Sequence, residues 1–308
     1  MRDRLFKSVD NRNPDDTPPS ERVIELIKPA EPAGPIIYAS PHSGRKYAPE
    51  FLAMTRLDRH ALRQSEDGYV DLLFEDAPRF GSPLLRALFP RAYVDVNRAR
   101  NEIDPRMFVD PIAADVDPRS HRVRAGLGVI PRIVADGHDI YSRKLKFFEA
   151  RRRLSHFYDP YHDALGAIID ETLSTYGCAV LIDCHSMPSL SGAPYRRGEQ
   201  QIDIVLGDRY GSSCSPNLTS LVEQSLKGMG FLVSRNNPYA GGYVAAHYGR
   251  PEAGVHVLQI EVNRDLYLDE KRMTRHAGFQ QLRDKLSGLL TDMQEVTPFF
   301  LQPAHAAE

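Results

Sequence analysis

Two histidines lie where apolar, strand-like segments end, and their side chains could bind a metal ion together. His42 follows the apolar run of "IIYASPHSGRKY" (36–47), and His185 follows that of "AVLIDCHSMPS" (179–189). In open α/β sheets, ligands bind outside the carboxyl ends of the strands, so we expect the two imidazoles to meet there. Either histidine alone would more simply be a hydrogen-bonded loop residue, but two in matched contexts favour a shared site.

Asp183 would support such a site from the same strand as His185. Successive side chains of a strand alternate between its faces, which puts Asp183 and His185 on one face and Cys184 on the other. Asp183 could then orient His185 through the second ring nitrogen, as carboxylates commonly do for metal-binding imidazoles.

A catalytic zinc site with two histidines needs a third protein ligand, normally a carboxylate, and an open position for water. The segment "SEDGYVDLLFEDAP" (65–78) offers Asp67, placed to cap a helix, and Asp71 in the next turn. Both carboxylates can reach the loops above the predicted sheet. The alternative, which is common for this pattern, is that Asp67 only caps the helix and Asp71 is a surface residue.

Glu261 ends an otherwise apolar strand in "GVHVLQIEVNRDLYLDE" (254–270) and shares one face of it with Gln259. A carboxylate is costly to bury without a partner, and burial raises its pKa. Glu261 is therefore a candidate general base that accepts a proton from water. A structural salt bridge to Arg264 or another arginine is the alternative.

Several residues could bind an anionic substrate. Asn97 and Arg98 end the predicted strand of "YVDVNRARNEIDP", and a guanidinium presents a fork that matches a carboxylate. Arg45, Arg132 and Arg250, each beside a glycine or proline, are further candidates. Each arginine could equally be a plain surface charge.

Two loops are expected to border the site. The segment "NNPYAGGY" (236–243) contains glycines that permit close backbone approach to a substrate, but it lacks the spacing of a nucleotide-binding motif. The polar segment 100–138 is long for a connection inside a compact domain, and we interpret it as an active-site loop.

Composition narrows the function classes. The chain has 308 residues, and 39 basic against 41 acidic side chains leave a formal charge of −2, which gives no electrostatic footprint for nucleic acid. Cys178, Cys184 and Cys214 have no CxxC spacing, which argues against a disulfide framework or a structural zinc site and suits a reducing compartment. No signal-peptide-like or membrane-spanning window occurs, so we expect a cytoplasmic protein with a small-molecule substrate and no membrane partner.

Short β-rich runs alternate with helical ones from residue 35 onward, which predicts an α/β fold. No glycine- or serine-rich linker divides the chain. We therefore expect a single domain over 21–297, with a loose polar arm at 1–20 and a loose tail at 298–308. Predicted helices cover 139–175, where Pro160 should kink or split the helix, and also 215–228 and 270–293. The predicted strands are 35–40, 83–88, 92–97, 179–184, 202–206, 231–235 and 256–262.

Taken together, the motifs resemble those of the N-formylglutamate amidohydrolases. They occur in the expected order between about residues 35 and 275: "SPHSGRKY", "SEDGYVDLL", "YVDVNRARNEIDP", "GLGVIPRI", "LIDCHSMP", "DIVLGDRYG", "NNPYAGGYVAAHYGRP" and "LQIEVNRDLYLDE". The resemblance implies a mixed, mostly parallel central sheet flanked by helices, a phosphorylase/hydrolase-like fold distantly similar to the zinc carboxypeptidases.

The resemblance also implies site residues and an activity. His42 and His185 would bind one divalent ion, zinc, with Asp67 as the third ligand and Asp71 or Glu66 as its alternatives. Glu261 would be the general base. The Asn97–Arg98 pair would bind the substrate carboxylate. The implied reaction is hydrolysis of N-formyl-L-glutamate to formate and L-glutamate, a step of histidine breakdown.

Two other functions stay open at this point. The same zinc chemistry could act on another N-acyl amino acid or a small peptide. A non-catalytic small-molecule binding protein of the same fold is the second alternative. The joint presence of His42, His185 and Glu261 favours an enzyme, since a decayed site would be expected to lose at least one of them.

Overall fold

The structure, a computed structural model, describes residues 22–112, 116–134, 137–189 and 201–301. The expected arm at 1–20 lies outside the described residues, as does the end of the expected tail, 302–308. The described part of the tail begins with a short helix, Pro298–Leu301. No helix among the described residues is long and apolar enough to cross a membrane.

The strands of the central sheet are short at its edges and long in the middle. In chain order they are β1 (Ile24–Ile27), β2 (Ile36–Ser40), β3 (Leu84–Ala87), β4 (Ala179–Met187), β5 (Ile204–Gly207), β6 (Val233–Arg235) and β7 (Val255–Asn263). A separate two-stranded sheet pairs β8 (Leu268–Asp269) with β9 (Thr274–Arg275).

The seven strands lie in the order β1-β3-β2-β4-β7-β5-β6. Strands β3, β2, β4 and β7 run parallel to one another, whereas β1 pairs antiparallel with β3 and β5 pairs antiparallel with β7. The last strand, β6, is parallel to β5. The predicted single α/β domain with a mixed, mostly parallel sheet is confirmed.

The helices cover both faces of the sheet. They are α1 (Pro49–Met54), α2 (Arg59–Arg63), α3 (Val70–Leu73), α4 (His121–Arg124), α5 (Phe147–Arg153), α6 (Asp159–Tyr176), α7 (Pro216–Gly228), α8 (Tyr243–Tyr248), α9 (Gly278–Asp292) and α10 (Pro298–Leu301). Short 3₁₀ turns lie at Ala77–Phe80, Pro105–Met107, Pro251–Ala253, Arg264–Leu266 and Met293–Glu295.

Alternate residues of the central strands enter two different hydrophobic cores. On β2, Ile36 and Tyr38 pack with α7 and α9, whereas Ile37 and Ala39 pack with α6 and the segments that precede it. All nine residues of β4 and of β7 are buried, as expected for parallel strands covered by helices on both faces. The two cores hold the carboxyl ends of β2, β4 and β7 at one edge.

The predicted strand at 92–97 is wrong. This segment turns instead: the Tyr93 amide donates to the Pro90 carbonyl, and the Asp95 amide donates to the Val129 carbonyl. Val94 and Val96 are fully buried. Their alternation with polar residues therefore arises because they are buried within a loop, and not because the segment pairs in a sheet. Strand β1, which precedes the first predicted strand at 35–40, was not expected either.

The predicted helix at 139–175 begins later, at Phe147, and a change of helical geometry just before Pro160 separates α5 from α6. A π-helical turn, Leu154–Tyr158, joins α5 to α6, and Pro160 lies in the first turn of α6. Because proline lacks an N–H and its ring crowds the preceding turn, the wider π turn accommodates it within one continuous helical segment.

Candidate active site

His42 is positioned by the loop that follows β2. The Ser40 and Ser43 hydroxyls lie 2.5 Å apart, and the His42 carbonyl accepts the Asp67 amide at 3.0 Å. Gly44 is required in this loop, because a Cβ there would lie 2.0 Å from the Phe89 carbonyl oxygen. The "SPHSG" motif therefore packs tightly against the backbone of Leu88 and Phe89 and brings His42 to the edge of the sheet.

His185 and Glu261 are direct neighbours on the two central strands. They occupy equivalent positions in the parallel register of β4 and β7. Both side chains are buried, with residue exposures of 2% and 7%. The sheet itself thus sets the relation between an imidazole and a carboxylate.

His42, Asp67 and His185 converge. The Nδ1 atom of His185 lies 2.8 Å and that of His42 3.3 Å from the same Asp67 oxygen, Oδ2. One ligand atom from each residue lies within 4.8 Å of the others, and the two imidazole ring centres are 4.8 Å apart. The prediction that the two imidazoles meet is confirmed.

A second carboxylate lies behind each imidazole. His42 Nε2 is 2.7 Å from Asp95 Oδ1, and His185 Nε2 is 3.0 Å from Asp183 Oδ2. The Asp95 carboxylate accepts the Nε2 proton of His42, which leaves Nδ1 of that ring free to bind a metal. Within the described part of the chain, the buried Nδ1 of His42 has no hydrogen-bond partner, which is the condition expected of a ligand atom. The donor set therefore fits a divalent ion.

Asp67 does not cap a helix. The N-cap residue of α3 is Tyr69, and the Asp67 carboxylate instead contacts both imidazoles and, through Oδ1, Arg264 Nη2 at 3.3 Å. Burial alone would raise the pKa of Asp67, but the hydrogen bond from His185 and the nearby ring of His42 bring it well below its ordinary value. Asp67 is thus an anion beside the two imidazoles.

The two alternative acidic residues point elsewhere. Asp71 forms a two-point ion pair with Arg45, with N–O distances of 2.8 and 3.0 Å. Glu66 accepts hydrogen bonds from Tyr47 and Arg63. Neither belongs to the convergent group formed by His42, Asp67 and His185.

Glu261 is not paired with Arg264. Its Oε1 atom accepts a hydrogen bond from Gln259 Nε2 at 2.8 Å, while Arg264 contacts Asp67 and Ser186. Burial raises the pKa of Glu261 to about 7. A carboxyl group with a pKa near neutrality is suited to accept and return a proton.

A cavity of about 360 Å³ opens over these residues. Its wall includes His42, Asp67, His185 and Glu261. The remaining lining residues are Gln64, Ser65, Arg91, Ala92, Asp95, Asn97, Arg98, Arg122, Leu127, Pro131, Ile133, Ser186, Pro188, Pro238, Tyr239, Ala240, Gly241, Gly242, Gln259 and Arg264. Both loops expected to border the site, 100–138 and 236–243, contribute to this wall.

Of the predicted substrate-binding residues, Asn97 and Arg98 line the cavity. Asn97 Nδ2 lies 3.2 Å from His185 Nε2, and Asn97 Oδ1 accepts the Val244 amide at 2.8 Å. Arg98 donates to the carbonyls of Asn97 and Leu127. Both side chains are therefore part of the framework that holds the imidazoles and the loop above them.

The other three predicted arginines lie outside the cavity wall. Arg45 binds Asp71, Arg132 binds Asp139, and Arg250 is exposed at the start of the turn before β7. A neighbouring glycine or proline did not indicate that these side chains face the site.

Several residues of the site were not expected from the sequence. Asp95 lies in the segment misread as a strand, and Arg91 directly precedes that segment. Arg122 lies in the four-residue helix α4 and Tyr239 in a loop, and neither is long enough in regular structure for periodicity to indicate which way the side chain points. Gln259 could have been found, because strand alternation puts it on the same face as Glu261.

Comparisons with known proteins agree with this architecture. Residues 34–268 match the N-formylglutamate amidohydrolase family. An N-formylglutamate deformylase of Pseudomonas aeruginosa is 27% identical over 240 residues, which cover 77% of this chain and 83% of the relative. A deformylase of the same name from Pseudomonas putida is 24% identical over 239 residues, covering 77% and 82%.

Among solved structures, the N-formylglutamate amidohydrolase of Ralstonia eutropha JMP134 superposes with a TM-score of 0.83 at 37% sequence identity. The match covers 88% of this chain and 97% of that protein. The fold is thus an α/β amidohydrolase-like domain with its polar site at the carboxyl edge of the sheet. This chain belongs to the N-formylglutamate amidohydrolase family.

Proposed function

We propose that the chain hydrolyses the amide bond of N-formyl-L-glutamate to formate and L-glutamate, the step in histidine breakdown that the sequence motifs imply. The observation that carries this proposal is the convergence of His42, Asp67 and His185 directly beside the buried carboxyl group of Glu261. The names of the similar Pseudomonas and Ralstonia proteins support N-formylglutamate as the substrate.

We further propose that Nδ1 of His42, Nδ1 of His185 and a carboxylate oxygen of Asp67 hold one divalent ion, zinc. Two imidazoles and one carboxylate are a common ligand set of catalytic zinc. When bound, such an ion polarises the carbonyl group of the substrate and lowers the pKa of water towards neutrality. Asp95 keeps the His42 imidazole in the tautomer that binds through Nδ1.

Glu261 handles the proton in this proposal. Its carboxylate takes a proton from the water that attacks the formyl carbon, and it then gives that proton to the amine nitrogen as the C–N bond breaks. The products are formate and L-glutamate with a free amino group. A pKa of about 7 allows one carboxyl group to act first as base and then as acid.

The remaining cavity residues bind and orient the substrate. Arg98 Nη2 lies 3.6 Å from Asp95 Oδ2, beyond hydrogen-bond distance, so the N–H groups of Nη2 are available to a substrate carboxylate. Asn97 Oδ1 holds the start of α8, and its Nδ2 atom lies 3.2 Å from the His185 ring at the same edge. We propose that Arg98 binds the anionic substrate while Asn97 holds the site in shape.

The test is a comparison of three measurements on the purified protein. We expect formate release from N-formyl-L-glutamate but little from N-formyl-L-methionine, and about one divalent ion per chain by elemental analysis. Glu261→Gln should keep the metal and lose about 1,000-fold in kcat, because general acid–base catalysis contributes roughly 100- to 10,000-fold. Glu252→Gln, an exposed carboxylate just before β7, is the matched control and should change neither.

The outcomes separate the parts of the proposal. A folded protein that never binds near one ion per chain would contradict the metal site. Unchanged turnover of Glu261→Gln would remove Glu261 from its role. Cleavage of other acyl groups without activity on any formylated amino acid would indicate a different N-acyl substrate, and no hydrolysis at all would indicate a binding protein.

A further inference from the structure

Arg122 differs from the other arginines of the cavity wall. Arg91 donates to Asp95 at 2.8 Å, Arg264 donates to Ser186 and Asp67, and Arg98 donates to two backbone carbonyls. The Arg122 guanidinium makes no hydrogen bond or ion pair with any residue in 22–112, 116–134, 137–189 or 201–301. It is a charged donor group at a polar cavity with no protein partner across these ranges.

The backbone around Arg122 is held firmly. Ser120 caps α4 by accepting the Arg122 amide, and its hydroxyl donates to Glu102. The Arg122 carbonyl accepts the Leu127 amide at 2.8 Å, and Val123 is buried. The guanidinium is therefore presented to the cavity from an ordered platform, which lowers the entropy lost when it binds a ligand.

Apolar side chains line the same part of the wall. Leu127, Pro131 and Ile133 come from the segment that directly follows α4. A short hydrocarbon chain that ends in an anion would pack its methylene groups on these residues and place its charge at Arg122. Glutamate has a side chain of this kind.

The local charges also favour an anion beside Arg122. Burial, together with the positive charges of Arg91 and Arg122, lowers the pKa of Arg98 to about 10 despite the opposing effect of Asp95. Arg98 and Arg122 are thus close enough to repel each other. A carboxylate bound between or beside them would offset that repulsion.

The position of Arg122 indicates which carboxylate it would bind. Arg91, Arg98 and Arg264 all lie within ion-pair distance of Asp95 or Asp67, next to the two imidazoles. Arg122 makes no such contact. Its guanidinium is therefore not committed to the cluster of imidazoles and carboxylates, which leaves it for the substrate carboxylate that is farther from the amide along the chain, the side-chain carboxylate of a glutamate.

We propose that Arg122 binds the side-chain carboxylate of the substrate and sets the preference for an acidic over a neutral amino acid. This inference rests on the proposed hydrolysis of an N-formyl amino acid. A guanidinium–carboxylate pair is charge-assisted and can form two parallel hydrogen bonds. A site built for such a pair rejects an uncharged analogue, because the guanidinium then loses its partner.

The test uses the metal-loaded full-length protein and two substrates that differ in one group, N-formyl-L-glutamate and N-formyl-L-glutamine. For Arg122→Gln we expect kcat/KM on the glutamate substrate to fall about 100-fold, mainly through KM, with less than about a threefold change on the glutamine substrate. Arg122→Lys should recover part of the loss. Arg124→Gln, an exposed arginine of the same helix outside the cavity wall, should match the wild type on both substrates.

Each result decides between the two proposals. If the wild type cleaves N-formyl-L-glutamate and Arg122→Gln keeps the wild-type ratio between the two substrates, the role of Arg122 is overturned and the hydrolase function stands. If the wild type releases no formate from N-formyl-L-glutamate, the proposed function is contradicted, and the role of Arg122 that rests on it is contradicted with it. Should Arg122→Gln not fold, Arg122→Met takes its place, since methionine keeps an unbranched side chain without the charge, and a wild-type ratio in that folded variant would overturn the inference equally.

Discussion

The side chain of Gln259 joins Glu261 to the glycine-containing loop above the cavity. Its Nε2 atom donates to Glu261 Oε1 at 2.8 Å, and its Oε1 atom accepts the Gly242 amide at 2.7 Å. All three residues line the cavity. One amide group thus fixes the carboxylate proposed to carry the proton and the backbone that borders it.

Replacing Gln259 tests this relationship. Gln259→Leu removes both hydrogen bonds with little change in volume, and a hydrogen bond to a charged group contributes about 1.5–3 kcal/mol. We expect kcat for formate release to fall about 10- to 100-fold with metal content unchanged. Gln280→Leu is the control, since Gln280 donates to Asp284 at 2.7 Å on an exposed helix face. Equal kcat in both variants would contradict a role for Gln259 in holding Glu261.

Gly242 should not tolerate a side chain. A Cβ at this position would lie 2.4–2.7 Å from atoms of the Asn97 side chain, which contacts His185. Gly242→Ala must displace Asn97, and we expect kcat/KM to fall at least about 10-fold, because small misplacements at a reacting site are costly. Steady-state kinetics checks this.

The control for that variant is Gly166→Ala, within α6. No atom lies within 4 Å of a Cβ there, and alanine is the better helix former. This variant should keep full activity and gain about 0.5–1 kcal/mol in free energy of unfolding. A fully active Gly242→Ala would show that the Asn97 contact is dispensable.

Removing the metal should lower stability. An ion that binds only the folded protein, at about 1,000 times its dissociation constant, adds about 4 kcal/mol to the free energy of unfolding. Denaturant unfolding with zinc and with chelator should differ by an amount of this order for the wild type. His42→Ala should abolish the difference.

His256→Gln is the matched control for the metal experiment. His256 lies on β7 with Glu261, but it accepts the Ser215 amide and does not line the cavity. Its zinc response should equal that of the wild type. A response that persists in His42→Ala would place the ion elsewhere.

His162 makes stability depend on pH. Burial, with a smaller effect of His247, lowers the pKa of His162 to about 4. Its Nε2 atom contacts the Val96 carbonyl and its Nδ1 atom contacts the Tyr248 hydroxyl, both at 2.9 Å, which a neutral ring satisfies. Because the unfolded chain takes up the proton near the ordinary pKa, stability is lost as the pH falls through and below that value.

The expected size follows from about 1.4 kcal/mol per pKa unit. Between about pH 7 and about pH 5, His162 should cost the folded protein about 2 kcal/mol. His162→Gln keeps a donor and an acceptor but does not titrate, so its stability deficit relative to the wild type should shrink over this range. Urea unfolding at the two pH values measures this, and a constant deficit would refute the assignment.

The sequence predicted the central strands and the meeting of His42 and His185 because both follow from local patterns. Continuous apolar runs ending in polar residues indicate buried parallel strands, and the carboxyl ends of such strands share one edge. In the 92–97 segment, apolar and polar residues alternate as in a strand, yet the segment forms turns, since the Asp95 amide donates to the Val129 carbonyl rather than to a strand. Tertiary contacts, which periodicity does not contain, decided that case.

The arginines illustrate the same limit. Arg98 was predicted to be at the site because it follows a segment whose valines are buried, whether that segment forms a strand or a loop. Arg45, Arg132 and Arg250 were chosen by their neighbours in sequence, but their directions depend on Asp71, Asp139 and the turn before β7. Arg122 carried no local signal at all.

The proposed metal ligands come from distant parts of the chain, and this separation bears on the order in which the protein assembles. His42 follows β2, Asp67 follows α2, and His185 lies on β4, so no ligand pair is local. Contacts between such remote segments form slowly, because long loops must close before the contacts are gained. An ion would then be captured only after the sheet has formed: zinc should slow unfolding and leave the refolding rate nearly unchanged, and stopped-flow traces with and without zinc would reveal the difference.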